Sequence, residues 1–164
     1  MKVGLFIPCY IDAFFPEVGI ATLELLERLG CSVEYPLEQT CCGQPMANRG
    51  CQEDSAATEA LFVRCFQGFD TVVGPAGSCD PGARTGRDRP PRRVLRVRRQ
   101  LLCHRRGGLG QDGLRRVNDF HRHGAEYIAS ADMSCLLHQK GVIDRLKLPV
   151  KVIHVAQILN GGPL

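Results

Sequence analysis

Four of the nine cysteines in this 164-residue chain follow predicted strands, and their spacing suggests shared chemistry. Cys9 follows an apolar run, Cys41 and Cys42 are adjacent, and Cys79 ends a loop of small residues. Geometry disfavours a disulfide between neighbouring cysteines, whereas two adjacent thiolates can bind two irons of one cluster. Because iron–sulfur clusters are held by cysteine thiolates, usually four, the pattern predicts an iron–sulfur site at these residues.

Other uses of these cysteines fit the sequence less well. Structural zinc sites usually contain C-x2–4-C pairs, which the chain lacks, and a nucleophilic thiol needs a base, yet no His precedes His104. A zinc-binding or scaffold protein without a redox role stays an alternative. Cys31 and Cys65 lie in apolar patterns and are predicted to be buried, and Cys51 is predicted to occupy a core or helix-capping position.

Alternating strands and helices must position the four cysteines. Strands are predicted at 2–8, 32–35 and 70–74, and helices at 16–29 and 53–69. This order is typical of an α/β fold with a parallel, Rossmann-like sheet. In such sheets, sites form at the carboxyl ends of the strands, which is where the four cysteines lie. We therefore expect them to meet at one edge of one sheet.

The last third of the chain repeats part of this order. Strands are predicted at 126–129 and 148–155, a helix at 132–146, and a short helix after the last strand. The sequence SADMSC follows its strand much as GPAGSC follows an earlier one, and Asp132 is a suitable N-cap for the following helix. The chain is therefore predicted to contain one complete and one partial repeat.

Positive charge is concentrated in residues 80–116, which contain twelve Arg, no Lys and three Asp within a chain of net charge +4. The segment has few apolar residues and is predicted to be largely disordered. Such a run supplies salt-dependent affinity for phosphate. It has no interleaved aromatic residues and no recognised nucleic-acid motif, so a specific nucleic-acid partner is not expected. A nonfunctional fragment with incidental nucleic-acid affinity stays an alternative.

The remaining sequence patterns bear on the cellular compartment of the protein and on the type of reaction in which it takes part. No apolar run approaches the roughly 18 residues of a membrane span, and the N-terminus lacks the features of a signal peptide. With an odd number of cysteines, these features favour a reducing cytoplasm over a disulfide-bonded secreted protein. No GxGxxG follows a strand, and no flavin signature is present. We expect an electron carrier beside a catalytic partner, not a self-sufficient enzyme.

Long motifs give the sequence a family resemblance. The sequence CCGQP, with PCYIDAFFPEVG upstream and GPAGSC downstream, resembles the cysteine-rich CCG domain. That domain is shared with heterodisulfide reductase and with iron–sulfur proteins of glycolate and glycerol-3-phosphate oxidation. The match to the lactate utilization protein A family is closer still. It covers residues 1–79 and about 117–164, roughly three quarters of the chain.

This resemblance implies two CCG repeats and a cluster of the [4Fe–4S] type. It also implies work in a complex that oxidises L-lactate to pyruvate, with an iron–sulfur ferredoxin-like subunit and a third subunit as partners. By position, the cysteines of the first cluster correspond to Cys9, Cys41, Cys42 and Cys79. Cys135 corresponds to the final cysteine, and hence to a metal ligand, of the second cluster.

The chain departs from the family pattern in its middle. The SCH and ECCGFGG motifs of the second repeat are absent. Codons for Glu-Cys-Cys-Gly-Phe-Gly-Gly-Ser-Phe, read out of frame, encode residues 93–102 as they stand. We therefore predict that residues 80–116 are out-of-frame translation between a first repeat at 1–79 and the end of a second at 117–164. Cys135 alone cannot hold the second cluster.

Overall fold

A parallel sheet organises the first half of the molecule. The structure is a computed structural model and describes residues 1–79, 93–94 and 108–162. The strands are β1 (Lys2–Leu5), β2 (Ser32–Glu34), β3 (Thr71–Val73) and β4 (Arg93–Val94). They lie in the order β2-β1-β3-β4, and every pair is parallel. Since β1 lies between β2 and β3, the segments that follow these three strands are neighbours.

Helices connect these strands. They are α1 (Cys9–Phe14), α2 (Pro16–Arg28), α3 (Gln44–Asn48) and α4 (Gln52–Phe66), and a 3-10 turn covers Gly77–Cys79. Pro16 is the first residue of α2, where its missing N–H costs no hydrogen bond. Glu17 in the first turn and Arg28 in the last complement the helix dipole. Local sequence therefore defines both ends of α2.

The second half has its own parallel pair of strands. Its elements are α5 (Gly108–Arg122), β5 (Tyr127–Ser130), α6 (Met133–Leu146), β6 (Lys151–His154) and α7 (Val155–Leu159). Strand β5 pairs with β6 in parallel. The predicted cap of α6 is confirmed, because Asp132 Oδ1 accepts a hydrogen bond from Ser134 N–H at 3.0 Å. The prediction of an α/β fold with parallel sheets is likewise confirmed.

One apolar core joins the two halves. Phe6 packs edge-on against Phe62 and Phe66, with ring centroids 5.0 and 5.8 Å away. The same buried cluster continues into the second half through Leu136 and Ile143. At the surface, α2 packs against α7, where the Arg28 guanidinium donates to the Leu159 carbonyl. The second half of the chain is therefore packed against the first.

Some predictions about chain organisation fall outside what the structure describes. Disorder is predicted for the Arg-rich segment at 80–116. Of that segment, only residues 93–94 and 108–116 lie within the described part of the chain. Helix α5 begins at Gly108 and crosses position 116. The boundaries at 79 and 116 stay predictions. The sequence patterns predict neither α1 nor α3, which lie in the short segments around the cysteines.

Candidate functional site

Three segments at the carboxyl edge of the sheet carry the four predicted site cysteines. Cys9 is the first residue of α1 and follows β1, while Cys41 and Cys42 lie in the loop after β2. Cys79 ends the 3-10 turn that follows β3. All four therefore lie at the same edge of one sheet, as the order of elements predicts. Cys42 and Cys79 are 2% and 7% exposed, so two of the thiols lie inside the protein.

The side chain of Gln39 holds the loop after β2 against the end of β1. Its Oε1 accepts a hydrogen bond from Ile7 N–H at 2.9 Å. Its Nε2 donates to the carbonyls of Leu5 and Pro36, both at 3.1 Å. These bonds fix the two segments that lead into Cys9 and Cys41, so a glutamine outside the cysteine motif positions the site.

Two glycines allow the cysteine loops to approach the rest of the fold. Gly43 has φ +77°, a left-handed conformation that side chains disfavour, and a Cβ there would lie 3.2 Å from Ser55 Cβ. A Cβ on Gly74 would lie 2.8 Å from the Phe6 carbonyl oxygen. The loop of Cys41 and Cys42 and the loop of Cys79 are therefore both packed closely against other elements.

The thiols of Cys9 and the adjacent pair interact directly. Burial raises the pKa of the Cys9 thiol, and a hydrogen bond with the Cys41 side chain and the charges of Cys41 and Cys42 raise it further. Such mutual opposition to ionisation is expected where thiols crowd together without a cation. A bound metal cation offsets this effect, because its positive charge favours the deprotonated thiolates that bind it. The local electrostatics therefore suit a thiolate-bound metal group.

Cys79 makes a hydrogen bond to the segment that follows Cys41 and Cys42. Its Sγ donates a hydrogen bond to Gln44 Oε1 at 3.8 Å, and Gln44 comes directly after Cys42-Gly43. Within the described ranges, however, no three His, Cys, Asp or Glu side chains form a group around one ion position. Four thiolates on one zinc ion lie about 2.3 Å from it and nearly touch one another. A multi-iron cluster places its cysteine ligands further apart than a single ion does.

Tyr10 is a site residue that the cysteine pattern did not reveal. Its hydroxyl oxygen is buried and has no hydrogen-bond partner of acceptable geometry among the residues described. Burial raises the pKa of the phenol, and the charges of Asp132, Cys79 and Cys135 add to the increase. The phenol therefore lies within electrostatic reach of cysteines from both repeats. In the sequence, only the position of Tyr10 next to Cys9 pointed to a place at this site.

His154 is a buried histidine at the end of β6. Its Nδ1 accepts a hydrogen bond from Ala156 N–H at 3.2 Å, so the neutral ring carries its proton on Nε2. Burial lowers the pKa of the imidazole, against the opposing effects of the Ala131 and Pro75 carbonyls and the Asp132 carboxylate. The Nε2 atom itself is buried and makes no hydrogen bond of acceptable geometry with the described residues.

Cys135, the predicted remnant of a second cluster, lies in α6 and faces Asp132. Its Sγ donates to Asp132 Oδ2 at 3.8 Å. Asp132 thus contacts this thiol and caps α6 with the same carboxylate. The sequence pattern predicts the capping role of Asp132, but it does not contain the contact of Asp132 with Cys135 or the contact of Gln44 with Cys79.

Comparisons with known proteins agree with this site. A family model described as "CCG: Cysteine-rich domain" matches residues 3–81. Lactate utilization protein A of Halalkalibacterium halodurans is 51% identical over 79 residues, 48% of this chain and 32% of the relative. That of Bacillus licheniformis is 51% identical over 79 residues, 48% of this chain and 33% of the relative. No solved structure matches the chain.

None of the helices in the described ranges is long and apolar enough to cross a membrane.

A longer alignment covers nearly the whole chain. Lactate utilization protein A of Geobacillus kaustophilus is 31% identical over 236 aligned residues, which cover 98% of this chain and 99% of the relative. An alignment of that length contains positions with no counterpart in a 164-residue chain, which agrees with an internal loss. With the cysteine edge and the CCG match, this coverage shows that the chain belongs to the lactate utilization protein A family.

Proposed function

We propose that this chain is an iron–sulfur electron-transfer subunit of a cytoplasmic complex that oxidises L-lactate to pyruvate. Its relatives are named for lactate utilization. The observation that supports the redox part is the hydrogen bond between Cys9 and Cys41, next to Cys42, at the sheet edge that also holds Cys79. No other set of side chains described above offers a group of thiols.

The proposed ligands are Cys9, Cys41, Cys42 and Cys79, and the proposed group is a [4Fe–4S] cluster. When bound, it supplies a one-electron redox centre. The chain's own residues hold the thiols in place through Gln39 and Gly43, and bury Cys42 and Cys79 away from water. Each thiol must lose its proton to bind metal, so loading is favoured at higher pH.

The partners follow from the balance of the reaction. Conversion of lactate to pyruvate releases two electrons and two protons, whereas one such cluster accepts one electron at a time. We propose that a ferredoxin-like iron–sulfur subunit and a third subunit complete the complex, and that the lactate-oxidising step takes place on a partner. Cys135 is proposed as a ligand left from the second cluster, which it cannot hold alone.

Anaerobic reconstitution with iron and sulfide tests the cluster. We expect a brown protein with charge-transfer absorption and a paramagnetic resonance signal after reduction. The Cys41→Ser, Cys42→Ser double variant should lose both signals. The Cys31→Ser, Cys65→Ser double variant is a matched control, because these two cysteines lie outside the three site segments.

Either of two results would overturn the cluster proposal. One is a colourless protein that retains zinc but no iron after reconstitution. The other is a cluster signal that survives in the Cys41→Ser, Cys42→Ser variant and so belongs to other residues. Circular dichroism of each variant shows whether loss of signal reflects unfolding.

Growth on L-lactate tests the metabolic part separately. A strain that lacks this gene, and has no second lactate oxidase, should fail to grow on L-lactate and should recover with the wild-type gene. The Cys41→Ser, Cys42→Ser gene should not restore growth. Normal growth of the deletion strain would reject the lactate role and leave the cluster result intact.

A further inference from the structure

Two of the proposed ligands, Cys9 and Cys41, are thiols that meet across neighbouring segments. Cys9 follows β1 and Cys41 follows β2, and these two strands pair in parallel. Gln39 Oε1 accepts a hydrogen bond from Ile7 N–H at 2.9 Å, so the two chains are joined two residues before each cysteine. The Cys9 and Cys41 side chains themselves share a hydrogen bond. Strand pairing, the glutamine bond and the thiol contact therefore bring the same two sulfurs together.

This pair also differs from the other two proposed ligands in its access to solvent. Cys9 is exposed and Cys41 is half-buried, whereas Cys42 and Cys79 are 2% and 7% exposed. A bond between Cys41 and Cys42 is disfavoured, because adjacent Cα atoms lie about 3.8 Å apart, less than the about 4.4–6.8 Å that disulfides span. Contact and access together therefore favour Cys9 with Cys41 as the pair that a dissolved oxidant reaches.

Two accessible thiols in contact permit a defined oxidation. Hydrogen peroxide converts one thiolate to a sulfenic acid as its O–O bond breaks, and the second thiol then attacks that sulfur and releases water. Overall, two thiols and one peroxide give one disulfide and two waters. A dithiol reverses the change through a mixed disulfide and is itself oxidised. Burial raises the pKa of the Cys9 thiol, so we expect slower oxidation than at the low-pKa cysteines of redox sensors.

We propose that Cys9 and Cys41 form a reversible disulfide in the metal-free protein, and that this bond blocks cluster loading until a dithiol reduces it. Metal sites of this kind need thiolates, so the disulfide removes two of the four proposed ligands at once. The bond itself does not depend on the cluster, whereas its effect on loading rests on the proposed function. In the proposed cytoplasmic location such a bond is transient, so it delays loading under oxidising conditions and does not serve to stabilise the fold.

Mass spectrometry of the metal-free protein, after treatment with equimolar hydrogen peroxide, tests the bond. The remaining thiols are blocked in denaturant, and the chain is cleaved after Lys, Arg and Glu. This cleavage places Cys9 in the peptide 3–17 and Cys41 in the peptide 39–49, while Cys31 lies in neither. We expect two of the nine thiols to be lost and these two peptides to be linked.

The adjacent cysteine provides a matched control. Cys41→Ser should abolish the link between the two peptides, whereas Cys42→Ser should keep it. Cys51→Ser, which changes an exposed cysteine outside the pair, should also keep it. An equal yield of the link in Cys41→Ser, or a wild-type link that forms only between two chains, would overturn the proposal. If a serine variant does not fold, fragmentation of the wild-type linked peptide decides, because it distinguishes Cys41 from Cys42.

Iron loading tests the consequence of the bond. The oxidised protein is mixed anaerobically with ferrous iron and sulfide but no thiol, beside a sample that was first reduced with a dithiol and desalted. Because sulfide can itself cleave some of the disulfide, bound iron should rise only in proportion to the loss of the linked peptide. Full loading while the link persists would overturn the block. If the reduced wild type binds no iron, the block falls with the proposed function, and the linked peptide still decides the disulfide.

Discussion

Among single residues, Gln39 controls how two of the cysteine segments meet. Replacement by Ala removes the acceptor of Ile7 N–H and the donor to the Leu5 carbonyl. We expect the Gln39→Ala variant to lose about 1–3 kcal/mol of the free energy of unfolding, because a largely buried N–H loses its partner. It should also hold less iron after reconstitution. Urea unfolding and iron analysis measure both, with exposed Glu38→Ala as control. Equal values in the two variants would contradict this role.

His154 makes stability depend on pH, and the sign follows from its environment. Burial lowers the pKa of the folded imidazole below its ordinary value of 6.5. As the pH falls below 6.5, the unfolded chain takes up a proton that the folded protein does not yet bind. Stability contributed by neutral His154 is therefore present at neutral pH and declines on acidification, by at most about 1.4 kcal/mol per pH unit.

His154→Asn tests this pH dependence without removal of the helix cap. Asn is a good N-cap and can accept from Ala156 N–H as the imidazole does. Between about pH 7.5 and about pH 5.5, we expect the variant to lose less stability than the wild type in urea unfolding. His121→Asn changes an exposed histidine and serves as control. Parallel pH profiles of the wild type and His154→Asn would argue against a neutral buried imidazole.

Among the elements, the loop of Cys41 and Cys42 depends on the conformation of Gly43. Gly43 and Gly30 have nearly the same positive φ, +77° and +79°, but a Cβ would meet Ser55 at the first and nothing within 4 Å at the second. Gly30→Ala should cost about 1–2 kcal/mol from backbone strain alone. Gly43→Ala should cost more and should reduce iron loading. If Gly30→Ala reduces loading equally, general destabilisation is the cause and the loop geometry is not.

Periodicity and breaker residues revealed the longer elements but not the short ones. Helix α2 was predictable because Pro16 begins it and a stripe of leucines follows. Helix α1 has six residues, too few for stability from propensity alone, and it forms because Ile11 is fully buried in the core. Such a helix depends on packing, which a local pattern does not contain. The sequence pattern therefore predicts no helix at Cys9, although Cys9 begins one.

At the scale of the whole molecule, the order of strands predicts that the cysteines share one edge of the sheet. It does not predict which residues from the other half of the chain lie near them. Parallel strands in a βα order bring the segments that follow them together, so Cys9, Cys42 and Cys79 were expected at one edge. Besides burial, the charges of Asp132 and Cys135 raise the pKa of Tyr10 from the other half of the chain, and the Pro75 carbonyl opposes the lowering of the pKa of His154. These effects depend on how the second half of the chain packs against the first, and no local sequence feature determines that packing.

The shared core predicts that the two halves unfold together. Leu136 in α6 is fully buried in the cluster that contains Leu5 of β1, while the adjacent Leu137 is 44% exposed. Leu136→Ala should lower the free energy of unfolding by about 2–5 kcal/mol. Because the core is continuous, hydrogen exchange should then become faster in β1 as well as in α6. Leu137→Ala is the matched control and should leave β1 protected. Faster exchange confined to the second half in Leu136→Ala would mean that the first repeat is stable on its own.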